Sequence, residues 1–172
     1  MALVSYVSDE DANPKVQPIF AAMEQALGVV PNVFRAMAHN PEMLQGFLAI
    51  NDTLPKTQLD GRLRELAYIK TSERNDCAYC LHHHRVLGKG AGLTDRQVNE
   101  TSNFEESDAY DELQRLVMLY ADQVTRNIHV EDALFAQLKE SLNDRELIEL
   151  AMTVGLANLT NRVTGTLRME LP

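Results

Sequence analysis

Cys77 and Cys80 are the only thiols in the chain, and they stand three positions apart with His84 four positions further on. Successive residues of a helix advance by about 100°, so these three side chains share one face and can enter one pocket. A disulfide between them would close a loop too small to staple a fold. In a reducing compartment such spacing points instead to redox or metal chemistry. Asn75 or Asp76 can cap the helix that carries them. That places Cys77 in the first turn, where free amide N–H groups and the helix dipole lower a thiol's pKa. Across an ordinary turn the Cβ atoms lie about 5–6 Å apart, against about 3.8 Å in a relaxed disulfide. Closing this pair therefore requires the first turn to adjust, and a strained, readily reduced bond suits a centre that cycles.

His84 can take the Cys80 proton, directly or through a water, provided a third group fixes its tautomer. Glu65, on the preceding helix, is the natural carboxylate for that purpose. The plainer readings are that a lone glutamate belongs to a solvated face and that His82, His83 and His84 cannot all point inward. A tetrahedral zinc on Cys77, Cys80, His84 and either Glu65 or another histidine is a rival, although structural zinc sites usually draw their ligands from separate elements. Leu81 follows Cys80, which excludes the c-type haem spacing, and no βαβ pattern surrounds the pair as in a thioredoxin-like domain. The expectation is a catalytic centre of Cys80, Cys77, His84 and Glu65 with no metal and no cofactor.

The elements that position these groups read as helices throughout. Asn13-Pro14 begins a first helix through Val16, Ile19, Phe20, Met23 and Leu27 to Gly28, with Pro18 able to delay its start. A short turn follows Pro31-Asn32, and Asn40-Pro41 opens a second long helix that ends before Pro55. A helix from about Asp60 to Glu73 turns Leu63, Leu66 and Ala67 inward, with Lys70 at the end of the stripe, its charge reaching water. The cysteine helix runs through Leu87 towards Gly88 or Gly90. Thr94 with Gln97 forms a capping box, Ser107 opens a helix through Leu113, Leu116, Val117 and Tyr120, and Val130 to Leu142 is amphipathic. Asn143 and Glu146 cap a long final helix through Val154 and Leu156. The fold class is all-α. Residues 1–172 form one domain, with a core motif at 65–84 and an N-terminal helix and extension at 1–27.

Composition narrows the partners. Sixteen Lys and Arg against 25 Asp and Glu leave a formal charge of −9, which repels phosphate backbones and anionic lipid. Nucleic-acid and membrane partners are not expected. The start of the chain resembles no secretory signal and no apolar run reaches the ~18 residues of a spanning helix, so a cytoplasmic protein is expected. Met23, Met37 and Met43 are core candidates, and Arg162 is read as structurally paired in preference to an anion anchor.

Glu65, eleven residues, Cys77-x-x-Cys80, three residues and His84 together resemble the core motif of alkyl hydroperoxidase D, within the carboxymuconolactone decarboxylase-like superfamily. The flanks resemble its peroxidase-related branch: Gly28-Val29-Val30-Pro31-Asn32-Val33-Phe34, His39-Asn40-Pro41, Asn158 and Asn161-Arg162. The resemblance implies an all-helical bundle assembling as trimers or hexamers. It also implies a thiol peroxidase that takes a peroxide substrate and a dithiol or protein-thiol reductant. By motif position Cys80 is the peroxide-attacking thiol, Cys77 the more exposed resolving thiol, and Glu65 with His84 the relay that deprotonates Cys80. Tyr79 stands where relatives carry a histidine, and a phenol accepts no proton near neutral pH. A redox adaptor without peroxidase activity, and a decarboxylase-like or zinc-binding member, remain the alternatives.

Overall fold

Of the oxygen-bearing helix starts that the sequence offers, the computed structural model, which describes residues 1–171, forms those at Asn40, Asp60, Thr94 and Asn143. Asn40 accepts from the Met43 N–H, Asp60 from the Arg62 N–H, and Thr94 with Gln97 and Asn143 with Glu146 close reciprocal capping boxes. Between these starts the described residues are helical, without a strand. The helices are α1 (Gln17–Leu27), α2 (Asn32–Met37), α3 (Pro41–Asn51), α4 (Gly61–Arg74), α5 (Ala78–Gly90), α6 (Asp95–Asn99), α7 (Glu112–Asn127), α8 (Asp132–Ser141) and α9 (Asp144–Thr166). Short 3₁₀ turns occupy Leu54–Lys56 and Thr101–Asn103.

α4 lies at the centre, packed on α5, α7 and α9. Leu63 and Ala67 face Val117, Leu138, Leu150 and Val154, while Leu66 and Ile69 face Val98 and Met118. Because nearly every side of α4 is covered, Glu65, Lys70, Thr71 and Ser72 are buried too, and each has a partner. Lys70 corrects the reading that its charge reaches water. It is 8% exposed, its Nζ donates to Glu73 at 2.9 Å and to the Thr101 carbonyl at 3.2 Å, and it lies over the Phe104 ring. The 3₁₀ turn at Thr101 comes down on the end of the stripe, a tertiary fact that helical periodicity does not carry.

Other boundaries shift for local reasons. α1 starts at Gln17 with Pro18 in its first turn, the delay that Pro18 suggests. Ser107 does not open α7. Its hydroxyl is bonded to Glu100 and to the Ala109 N–H, and the cap is Asp111, boxed with Gln114. α5 runs past Gly88, which is there for packing: a Cβ would stand 3.1 Å from Leu93 and 3.3 Å from Val98. Met43 is 73% exposed and so is not core, whereas Met23 and Met37 are partly buried against the Phe20–Leu44 cluster. Arg162 bonds Asn158 through its carbonyl and side-chain oxygens. No helix among the described residues is long and apolar enough to cross a membrane.

Candidate active site

Cys77 stands at a corner made by two helix ends. Asp76 takes the left-handed conformation (φ 51°). Its N–H donates to the Glu73 carbonyl at 3.1 Å, and the Cys77 N–H to the Ser72 carbonyl at 2.9 Å. This Schellman arrangement ends α4. Asn75 and Asp76 are thus used in stopping one helix and do not start the next, which corrects the sequence reading. The cap of α5 is Cys77 itself, whose Sγ accepts from the Cys80 N–H at 3.4 Å.

α9 closes the pocket over the sulfurs. Thr164 Oγ1 lies 3.1 Å from Cys77 Sγ and 3.3 Å from Cys80 Sγ. Beside it Asn161 donates to Ser72 Oγ at 3.1 Å and accepts from Asn75 at 2.9 Å, tying α9 to the α4–α5 corner. Both cysteines are free and buried, at 3% and 2% exposure, so accessibility does not distinguish them as the resemblance implies. Ionisation does. The Cys80 thiol, the Thr164 hydroxyl and the Cys80 amide outweigh burial and hold the Cys77 thiol well below the ordinary range. Facing that charge and desolvated, the Cys80 thiol is pushed far up. The two groups form one titrating unit that keeps a proton on Cys80 while Cys77 is a thiolate.

The imidazole side is assembled from α4 and α5. His84 Nδ1 lies 2.8 Å from Glu65 Oε2. A carboxylate only accepts, so this contact puts the proton on Nδ1 and leaves Nε2 as the free base. The other Glu65 oxygen accepts from Arg64 Nε at 3.1 Å, and Arg64 is itself anchored on the Leu54 carbonyl. Glu65 is 5% exposed, so a solvated-face reading of it does not hold. The Tyr68 ring stacks flat on the imidazole, centroids 3.3 Å apart and planes 11° from parallel. Among the described residues no direct hydrogen bond joins His84 to either sulfur, and no group of three His, Cys, Asp or Glu side chains is arranged to hold a metal ion.

Tyr79 turns away from relay chemistry. Its hydroxyl accepts from the Val33 N–H of α2 at 3.2 Å, and burial raises its pKa to about 12. His83 tilts against the Tyr79 ring, and burial lowers its pKa, while His82 is exposed. A surface groove of about 340 Å³ lies on the other face of α5, along Leu81, His82, Arg85 and Lys89, and does not reach the sulfurs.

Sequence reasoning placed Glu65, Cys77, Cys80 and His84 as a group, and the fold brings Glu65 to His84 and Cys77 to Cys80. It gave no role to Thr164, Asn161, Tyr68 or Arg64. One signal was available: Thr153, Thr160, Asn161 and Thr164 recur at helical spacing along the otherwise apolar buried face of α9.

An all-α chain with a buried dithiol next to a carboxylate–imidazole pair is the class that fold and site define. The Carboxymuconolactone decarboxylase family matches residues 41–123, a span containing all four motif residues. An uncharacterized peroxidase-related protein from Silicibacter sp. TM1040 is similar at 28% identity and a TM-score of 0.87, over 99% of this chain and 92% of that one. The alkylhydroperoxidase AhpD core of an uncharacterized peroxidase-related protein from Ralstonia eutropha JMP134 superposes with a TM-score of 0.90 at 24% identity, over 99% and 92%. The debrominase Bmp8, solved with 2,3,4-tribromopyrrole, shares the fold at 22% identity and a TM-score of 0.86, over 100% and 92%. Residues 41–123 are thus similar to the carboxymuconolactone decarboxylase family, and the chain has the fold of the alkyl hydroperoxidase D-like, peroxidase-related proteins.

Proposed function

We propose that the protein is a thiol-dependent peroxidase that reduces hydrogen peroxide or organic hydroperoxides through a Cys77–Cys80 dithiol–disulfide cycle. The observation that carries this reading is the placement of both sulfurs on one hydroxyl, Thr164, one helical turn before an imidazole whose tautomer Glu65 fixes. The Cys80 sulfur attacks the terminal peroxide oxygen while its proton passes to His84 Nε2, through a water, and on to the departing alkoxide, giving Cys80 sulfenic acid and an alcohol. Cys77, already ionised, then attacks the sulfenic sulfur and expels hydroxide, which is protonated to water. An external dithiol returns both electrons and reopens the pair. The base is needed because the Cys77 charge keeps Cys80 protonated at rest.

The kinship with peroxidase-related proteins supports an enzyme of this kind. A cycling dithiol also requires a reducing compartment, which favours the cytoplasm. Ile148, Met152 and Leu159 form an exposed apolar stripe along α9 that suits burial against further copies in a trimer or hexamer. Purified protein supplied with a dithiol should consume cumene hydroperoxide or hydrogen peroxide catalytically. Consumption of a bromopyrrole with peroxide untouched, or reduction of a second peroxidase without direct peroxide turnover, would replace this reading.

A further inference from the structure

Thr164 touches both sulfurs, and its hydroxyl has one proton to give. Its Oγ1 lies 2.9 Å from the Thr160 carbonyl and 3.3 Å from the Asn161 carbonyl, as well as 3.1 and 3.3 Å from the two sulfurs. A carbonyl can only accept. When the hydroxyl donates to Thr160, its oxygen can still accept from an S–H. When a sulfur carries charge, rotation about one bond turns the proton onto it. Backbone contacts hold the pivot in place: the Thr164 carbonyl accepts from the Met169 N–H at 2.9 Å and the Gly165 carbonyl from the Arg168 N–H at 3.1 Å, a second Schellman corner that ends α9. Thr164 is 1% exposed, so water does not compete for the proton.

We propose that Thr164 is a thiolate-stabilising residue of the dithiol centre, whose hydroxyl rotates from the Thr160 carbonyl to Cys77 Sγ on ionisation and returns when the disulfide forms. A disulfide sulfur is a weak acceptor and a thiolate a strong one, so the hydrogen bond favours one state of the cycle over the others. Two measurable quantities are therefore linked. The hydroxyl lowers the apparent pKa of the pair, and by stabilising the reduced thiolate it makes the disulfide more oxidising. The titratable groups packed with the sulfurs are Tyr68 on α4, Tyr79 on α5 and Tyr6 of the N-terminal segment, with the Glu65–His84 pair stacked on Tyr68, whereas α9 contributes the neutral Thr160, Asn161 and Thr164. The hydroxyl thus acts without adding a charge.

The inference rests on the dithiol reading of the site, but its test uses no peroxide, so failure of either is read separately. Thr164→Val keeps the volume and removes the hydroxyl. Thiolate ultraviolet absorbance followed against pH, with the oxidised protein as blank, should show the first ionisation about one pH unit higher in T164V. The same tenfold loss should lower the reduction potential by about 30 mV against glutathione at pH values above that ionisation, and by nothing well below it. Thr164→Ser should restore both. Should T164V fail to melt cooperatively, Thr164→Ala is expected to give the same shifts. An unshifted titration in the hydroxyl-free variant, a potential change that is the same at every pH, or a serine variant that behaves like valine overturns the proposal, because each is what lost packing alone would produce.

Discussion

The sulfur side and the imidazole side of the pocket are built from different chemistry. Around the sulfurs stand a hydroxyl and a carboxamide from α9 and a backbone amide from α5, all neutral. Around the imidazole stand a carboxylate and a guanidinium from α4. Neutral dipoles can follow a charge that appears and disappears during a redox cycle, because a hydroxyl reorients at little cost. A tautomer must stay fixed through the same cycle, and a buried ion pair holds it because neither partner can turn away without stranding the other. The difference separates tuning of the thiolate from direction of its proton.

Removing a sulfur breaks both sides and carries the largest effect. Cys80→Ser should abolish peroxide turnover and leave no sulfenic acid. Cys77→Ser should also lose turnover yet react once with peroxide, leaving a sulfenic acid at Cys80 that dimedone traps and mass spectrometry locates. Trapping at Cys77 in the Cys80→Ser variant instead would reverse the order of the two thiols.

Next in size is loss of the charged side alone. His84→Gln should slow turnover about 100-fold at neutral pH with little change in melting temperature. Because the Cys80 thiol is held above its ordinary range, turnover without a base should recover only as pH rises into that range. Glu65→Gln keeps the imidazole but leaves its tautomer free, so its loss should be smaller and its alkaline recovery weaker. A pH–rate profile of each variant beside the parent checks both. Equal losses at every pH would mean that the two residues hold structure and move no proton.

The smallest effects separate the pocket's scaffold from the rest of the fold. Asn161→Ala leaves Ser72 without its α9 partner and Asn75 with Asn158 alone, at a cost of about 1–3 kcal/mol, and should also disturb thiolate formation. Asn143→Ala removes the α9 cap at the far end of the same helix, at about 1 kcal/mol, and should leave the thiols unchanged. Urea melts with parallel thiolate titrations make the comparison. If the two variants perturb the thiols equally, α9 acts on the site through its overall stability.

Caps and motif were legible because both are local. Asn40, Thr94 and Asn143 announce helices within three residues of themselves, and Cys77, Cys80 and His84 lie on one helix at fixed spacing. The Glu65–His84 contact crosses only one corner, so two adjacent helices and the demand for a tautomer were enough to anticipate it. Thr164 lies 87 residues from Cys77 in sequence, and nothing near it announces a sulfur. Lys70 shows the same limit, since its partner carbonyl on Thr101 arrives from another element. The cap of α5 was misplaced for a different reason. Asn75 and Asp76 are good cap residues, but the chain turns so tightly that ending α4 uses them first.

The central claim is that Cys77 and Cys80 of one chain exchange two electrons with peroxide. Fully reduced, metal-free protein treated with one equivalent of hydroperoxide, quenched by alkylation and digested, reads this directly. The account predicts loss of both free thiols per equivalent, a linked Cys77–Cys80 peptide from within one chain, and restoration of both thiols by an added dithiol. Two alkylated cysteines after exposure, or disulfides found only between chains, would contradict it.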